Sequence, residues 1–192
     1  MAYLAGLNIN NDGVLIVSKA GVATSATQTN TIPYSIGDKA LGGTVIYTWS
    51  GGTHGYVASS IEVDAPTLDL YWQWPSSVSA VTSGFTVGTG AANTLAMVQH
   101  GDCPLADYVT GLTTGGYSDW YIPSKDELTL VYNSKAYLTE IPSGTRYYFS
   151  STDASPETDI YPEYIWRIEM STGQWWINPK WEQLYVKPIR TF

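Results

Sequence analysis

Gly115-Gly116-Tyr117-Ser118-Asp119-Trp120-Tyr121-Ile122-Pro123-Ser124-Lys125-Asp126-Glu127-Leu128 joins a glycine turn to an aromatic extended segment and then starts a helix. Ser124 and Glu127 stand at the Ser-x-x-Glu spacing of a capping box. Pro123 disfavours helical backbone before it, so Tyr121-Ile122 stays extended. Asp119 follows a serine in a turn and is expected to bond local backbone. Beyond the cap, Leu128, Val131, Tyr132 and Lys135 recur at i, i+3, i+4 and i+7. That period gives one mostly apolar stripe and predicts a helix from about Lys125 to Leu138.

On the N-terminal side of this run, residues 91–99 are rich in helix formers and predict a second helix. Leu105–Val109, beyond Pro104, extends it as the second half of a broken pair. Thr44–Trp49 and Tyr56–Ile61 are β-branched and aromatic and predict partner strands around a Ser-Gly-Gly-Thr turn. Residues 62–90 carry Trp72, Trp74, Pro66 and Pro75 among many Ser and Gly, and read as a long, partly ordered loop. On the C-terminal side, residues 146–151, 164–170 and 184–190 predict strands, with Gly173 marking a turn. The expected class is α+β, with strands at both ends, two helices between them and long loops. Residues 1–35 differ from the rest. Apolar runs flank Asn11-Asp12-Gly13, a strong hairpin signal, and residues 20–31 are small and polar. The expected organisation is an N-terminal β-hairpin arm over residues 1–35, used for attachment, and a globular domain over 36–192.

Composition narrows the function. The chain carries 8 Trp and 15 Tyr against 3 Phe, in 192 residues. Tyr and Trp combine an apolar body with a polar handle, which suits both a β-rich core and a wet recognition surface. Net charge is −8 with no Lys/Arg run, so no nucleic-acid partner is expected, since backbone binding needs clustered cations. Cys103 stands alone, so no intramolecular disulfide forms and a buried inert thiol is expected. Met1-Ala2-Tyr3-Leu4 has no basic n-region and no long apolar run follows. Neither a signal peptide nor membrane insertion is expected. Work outside a cell would then require another exit route, such as lysis.

The run Gly115–Leu128 resembles the signature of the DUF1566 family, which includes the C-terminal domain of the Legionella collagen-like adhesin. Further stretches are similar to the family in the same order: Gly42–Tyr47, His54–Ala58, Gly88-Thr89-Gly90 with Asn93-Thr94, Tyr148–Thr152, and Val186–Phe192. The resemblance covers roughly residues 36–192. It implies a C-type-lectin-like fold whose first and last strands, here Thr44–Trp49 and Tyr185–Phe192, pair and leave the opposite end free to display loops. It also implies that Tyr117, Asp119, Trp120, Pro123, Ser124 and Glu127 hold the fold together, and that the work is binding at the tip of a fibre, adhesin or phage tail. The opening of the chain resembles short segments of phage structural proteins. Two departures stand out: the family's frequent mid-domain cysteine pair is missing, and so are the Glu-Pro-Asn and Trp-Asn-Asp calcium motifs of the lectins.

The residues themselves offer a binding candidate in Ser171–Gln183. Trp175, Trp176 and Trp181 stand there beside Asn178 and Glu182. Indoles lie on the C–H faces of sugars while Asn and Glu bond hydroxyls; such surfaces mix rigid anchors with adaptable polar groups. The competing reading is a β-hairpin whose alternate Trp enter the core. On a strand, Trp175 and Trp176 face opposite sides, so one points outward. Trp72 and Trp74 share a face if extended, either as core or as a wall of the same pocket. Asp153, Glu157, Asp159 and Glu163 form an acidic stretch whose spacing matches no known calcium loop. His54 and His100 have no catalytic setting, and no phosphate or dinucleotide fingerprint occurs. The expectation is a non-catalytic module without cofactor or metal, on a virion surface. It would bind a host polysaccharide or surface protein, contact other virion proteins through residues 1–35, and form a homo-oligomer. A structural virion protein on the same scaffold is the alternative.

Overall fold

A computed structural model describes residues 7–9, 15–17, 33–73, 81–142, 144–154 and 163–192. The chain divides into two units, Met1–Pro33 and Tyr34–Phe192. In the first, β1 (Leu7–Ile9) pairs antiparallel with β2 (Leu15–Val17), with Leu7 opposite Val17 and Ile9 opposite Leu15. The expected turn at residues 11–13 and the segment 20–31 lie outside the described residues.

The second unit is mixed α+β. One sheet contains β3 (Lys39–Ala40), β4 (Gly43–Trp49), β5 (His54–Ser59) and β11 (Ile189–Thr191), in the order β11-β5-β4-β3. The other contains β6 (Val63–Asp64), β7 (Tyr147–Asp153), β8 (Tyr164–Glu169), β9 (Trp175–Pro179) and β10 (Tyr185–Val186), in the order β6-β10-β7-β8-β9. Four α-helices occur among the described residues: α1 (Ala65–Leu68), α2 (Gly90–His100), α3 (Pro104–Thr110) and α4 (Lys125–Asn133). The broken helical pair is thus α2 and α3, separated at Gly101, whose φ of 85° suits a residue without Cβ. The stretch expected to be loop after residue 62 starts instead with β6 and α1, the latter capped by Asp64.

The end strands do not pair as expected. β4 and β5 are joined through a tight turn at Ser50–Gly52, so β5 occupies one edge of β4. β11 then adds to the far edge of β5, with Arg190 opposite Val57. The expected single strand 185–192 is also split. Tyr185 lies parallel to Tyr148 in the second sheet, whereas Ile189–Thr191 belongs to the first. Lys187-Pro188 carries the chain between them. Pro188 has no N–H for a ladder, and the buried Lys187 amine is anchored on Ile61 O and Glu140 Oε1, at 3.1 and 2.7 Å.

Two apolar clusters form the core. Val45, Val57, Trp72, Met97, Leu105, Trp120, Ile122, Phe149 and Ile165 belong to the first. Ile46, Tyr56, Ala58, Tyr121, Leu128, Val131, Tyr148 and Ile168 belong to the second. Period-two alternation along extended backbone produces this division. Trp120 and Ile122 point into one cluster and Tyr121 into the other. Helix α4 buries Leu128 and Val131, as its stripe predicts. It ends earlier than expected, at Asn133, where the buried Ser134 hydroxyl donates to Ile46 O at 2.9 Å.

The signature run is the hub of this unit. Tyr121 N and O both bond Ile189, at 2.9 and 3.0 Å. Ser151 N donates to Pro123 O at 2.8 Å and Lys125 N to Thr152 Oγ1 at 3.0 Å. Both halves of the capping box form: Glu127 N to Ser124 Oγ at 3.3 Å, and Ser124 N to Glu127 Oε2 at 2.8 Å. Glu127 is fully buried and also accepts from Gly88 N at 2.9 Å. Burial pushes its carboxyl above the ordinary value, against the lowering effect of these donors. Trp120 Nε1 donates to Tyr117 O at 2.9 Å.

Asp119 does not bond its local turn as its main contact. It receives Arg190 Nε and Nη2 at 2.6 and 2.9 Å, a bidentate pair, and the same guanidinium lies 3.9 Å from the Tyr117 ring. The hydrogen bond from Arg190 holds the Asp119 carboxyl below its ordinary value. Lysine cannot reproduce this planar fork. Arg190→Lys is expected to lower folding stability by about 1–2 kcal/mol, less than a buried pair loses because Asp119 is exposed. Urea denaturation measures the loss.

Candidate functional site

The antiparallel register of β8 and β9 sets Arg167 opposite Trp176, Ile168 opposite Trp175 and Ile165 opposite Asn178. Directly opposed residues share a face of the sheet. Trp175 and Trp176 therefore diverge. Trp175 is half-buried against the second core cluster, and its ring meets Trp166 edge-on with centroids 6.5 Å apart. Lys125 Nζ sits 3.5 Å above the Trp166 ring, closing that side. Trp176 points the other way and is 51% exposed, the largest exposure of any described tryptophan.

On the Trp176 face, β7 and β8 add two further side chains. Arg167 lies over the Tyr147 ring with Cζ 3.9 Å from its centroid. Arg167 thus lies between Trp176, directly opposite it on β9, and Tyr147, its diagonal neighbour on β7, an aromatic–cation–aromatic group on one face of three adjacent strands. Of the chain's three arginines, Arg146 pairs with Glu62 and Arg190 with Asp119, whereas no described carboxylate pairs with Arg167. Its Nε is buried without a hydrogen-bond partner. Sequence reasoning did not single out Tyr147 or Arg167. The available signal was the strand period in Tyr164–Glu169, which puts an arginine on the face opposite Trp166.

The other expected site residues do not join this group. Asn178 is buried, and its Nδ2 donates to Glu182 Oε2 at 2.7 Å, so the two are tied together in the turn after β9. Trp181 is half-buried within that turn. Trp72 is not a pocket wall. It is fully buried in the first core cluster, and its Nε1 donates to Ser150 O at 3.0 Å. The indole is large enough to fill the space between β7 and the helices, and its single donor finds a backbone acceptor there. Trp74 lies outside the described residues.

The acidic stretch is likewise divided. Asp153 is buried and faces Lys180, with Oδ2 accepting from Val81 N and Thr82 N at 2.7 Å each, so it is not open to an external cation. Residues 157 and 159 lie outside the described residues. Among the described residues no group of three His, Cys, Asp or Glu side chains is placed to hold a metal. Cys103 is buried and its thiol is pushed up to about 12 by that burial, which keeps it protonated and unreactive. His54 stacks on Trp49 at 5.9 Å, part of an aromatic group with Tyr47 and Tyr56 on the β4–β5 hairpin. Tyr47 and Trp49 are exposed there.

An open groove of about 530 Å³ runs beside Lys39–Thr44, Ser60, Gly115 and Glu140. Its charged side chains are already engaged: Lys39 Nζ donates to Thr44 Oγ1 and Tyr137 O, and Glu140 accepts from Lys187. No helix among the described residues is long and apolar enough to cross a membrane. No family model and no curated protein matches the chain.

Proposed function

We propose that this protein is a non-catalytic recognition module that binds a host surface polysaccharide or surface protein, displayed on a phage particle or fibre. One observation carries the reading: the exposed Trp176 indole, on the same face of three adjacent strands as Arg167 and Tyr147. An indole held by a strand loses little freedom when a sugar ring or an apolar side chain stacks on it. Arg167 beside it offers guanidinium donors to hydroxyl or carbonyl oxygens. The resemblance of residues 36–192 to tip domains of adhesins and phage tails supports the display role. Each site is weak on its own, and repeated copies in a homo-oligomer supply avidity.

Trp176→Ala tests it. A stacked anchor at the centre of such a site carries about 2 kcal/mol or more, so binding on a glycan array or adsorption to host cells falls at least about tenfold. Folding stability changes by less than about 0.5 kcal/mol, because the side chain is exposed. Equal binding by both proteins, or no binding by either together with tight association to purified particles, rejects this reading in favour of a structural virion component.

A further inference from the structure

Lys180 and Asp153 meet at the end of the five-stranded sheet. Asp153 closes β7 and Lys180 follows the last residue of β9, so their contact spans the intervening β8. Both side chains are fully buried, and Lys180 Nζ is in direct contact with Asp153 Oδ1. The two carboxylate oxygens differ. Oδ2 is held by a pair of backbone donors, Val81 N and Thr82 N, each at 2.7 Å. Oδ1 faces the amine and carries no hydrogen bond of ordinary geometry. The Trp72 ring lies 4.7 Å from Nζ and walls the pair from water. Burial holds the Lys180 amine below its ordinary value, against the raising effect of Asp153. The nearby Cys103 thiol stays protonated and does not compete as a nucleophile.

We propose that Lys180 and Asp153 condense into an intramolecular amide, a covalent clasp between β7 and the turn after β9. The ammonium passes a proton to Oδ1, leaving a neutral amine against a carboxylic acid. The Nζ lone pair then forms a bond to Cγ. Negative charge develops on Oδ2, where Val81 N–H and Thr82 N–H already point and act as an oxyanion hole. The Cγ–Oδ1 bond breaks, and Oδ1 leaves as water with its own proton and one from nitrogen. One amide and one water result; nothing is oxidised or reduced, and no co-reactant is consumed. Fixed contact between the groups replaces a bimolecular encounter, and exclusion of water favours the neutral amine–acid pair over the ammonium carboxylate that resists condensation in water.

Intact mass spectrometry of the purified, natively folded full chain decides the matter. The expected mass is about 18 Da below that of the 192-residue sequence, one water lost. Fragmentation of the proteolytic products must place that loss on a bridge between residues 153 and 180. Asp153→Asn is expected to form the same amide with loss of ammonia, about 17 Da, and Lys180→Met to show the full sequence mass. An unmodified mass for the folded natural sequence overturns the proposal. So does an 18 Da loss that maps to Asp12-Gly13, where succinimide formation expels the same water. The natural sequence alone gives this answer even if either variant fails to fold.

Discussion

Trp72→Ala is expected to lower folding stability by about 3–5 kcal/mol, the range for truncating a buried tryptophan. The indole is fully buried among Val45, Met97, Leu105, Phe149 and Ile165, so its removal leaves a cavity that several elements must collapse to fill. The change also strands Ser150 O, which accepts the Nε1 hydrogen bond at 3.0 Å. Trp72→Phe separates the two effects. It keeps much of the apolar volume but loses the donor, and about 1–2 kcal/mol is expected. Urea denaturation of the three proteins gives both figures. A wall residue would behave in the opposite way, with alanine leaving stability intact and weakening binding alone.

The second large effect is expected at Gly90. Exchanging glycine for alanine inside a helix ordinarily stabilises by about 1 kcal/mol. Here the sign reverses. A Cβ on Gly90 would stand 2.1 Å from Glu127 Oε2, 2.7 Å from Ser124 N and 2.9 Å from Ile122 O. Two of these atoms are backbone and the third is locked in the capping box, so the first turn of α2 must move away from the start of α4. Overpacking of this kind costs about 1–3 kcal/mol, and loss of the cap adds about 1 kcal/mol. Gly90→Ala is therefore expected to lose about 1–3 kcal/mol net of the helical gain. Gly111→Ala is the comparison. Its Cβ would meet nothing nearer than 3.4 Å, and stability should change by less than about 0.5 kcal/mol. Chemical denaturation curves of both variants test the contrast.

Much of the hub was legible because its signals are local. Ser124 and Glu127 announce a cap by spacing alone, and the stripe through Leu128 and Val131 fixes the buried side of α4. The short stretches around the signature run also make physical sense together. Asn93 and Thr94 bond Gly84 and Ile122, Thr152 meets Lys125, and Arg190 meets Asp119. What stayed hidden was long-range choice. Nothing near Asp119 says that its partner lies 71 residues away rather than in its own turn. β4 has β3 on one edge and β5 on the other, so β11 lies on the free edge of β5, a placement that the composition of residues 185–192 does not reveal.

The candidate surface was half legible for a related reason. Alternation correctly separates Trp175 from Trp176, yet it does not tell which of the two meets the core. That is settled by Ile168 and α4 lying on the Trp175 side. Arg167 and Tyr147 came from strands with no excess of tryptophan, so a search for clustered indoles passed over them. Spacing left Trp72 open between core and pocket wall, and the structure puts it in the core, where its Nε1 donates to a backbone acceptor on β7.

The extended tripeptide Trp120–Ile122 has a consequence for how the domain opens. Because its side chains enter both apolar clusters in turn, loosening either cluster disturbs a segment that the other also holds. Partial opening at this segment, the usual entry point for proteases, therefore disrupts packing in both clusters at once.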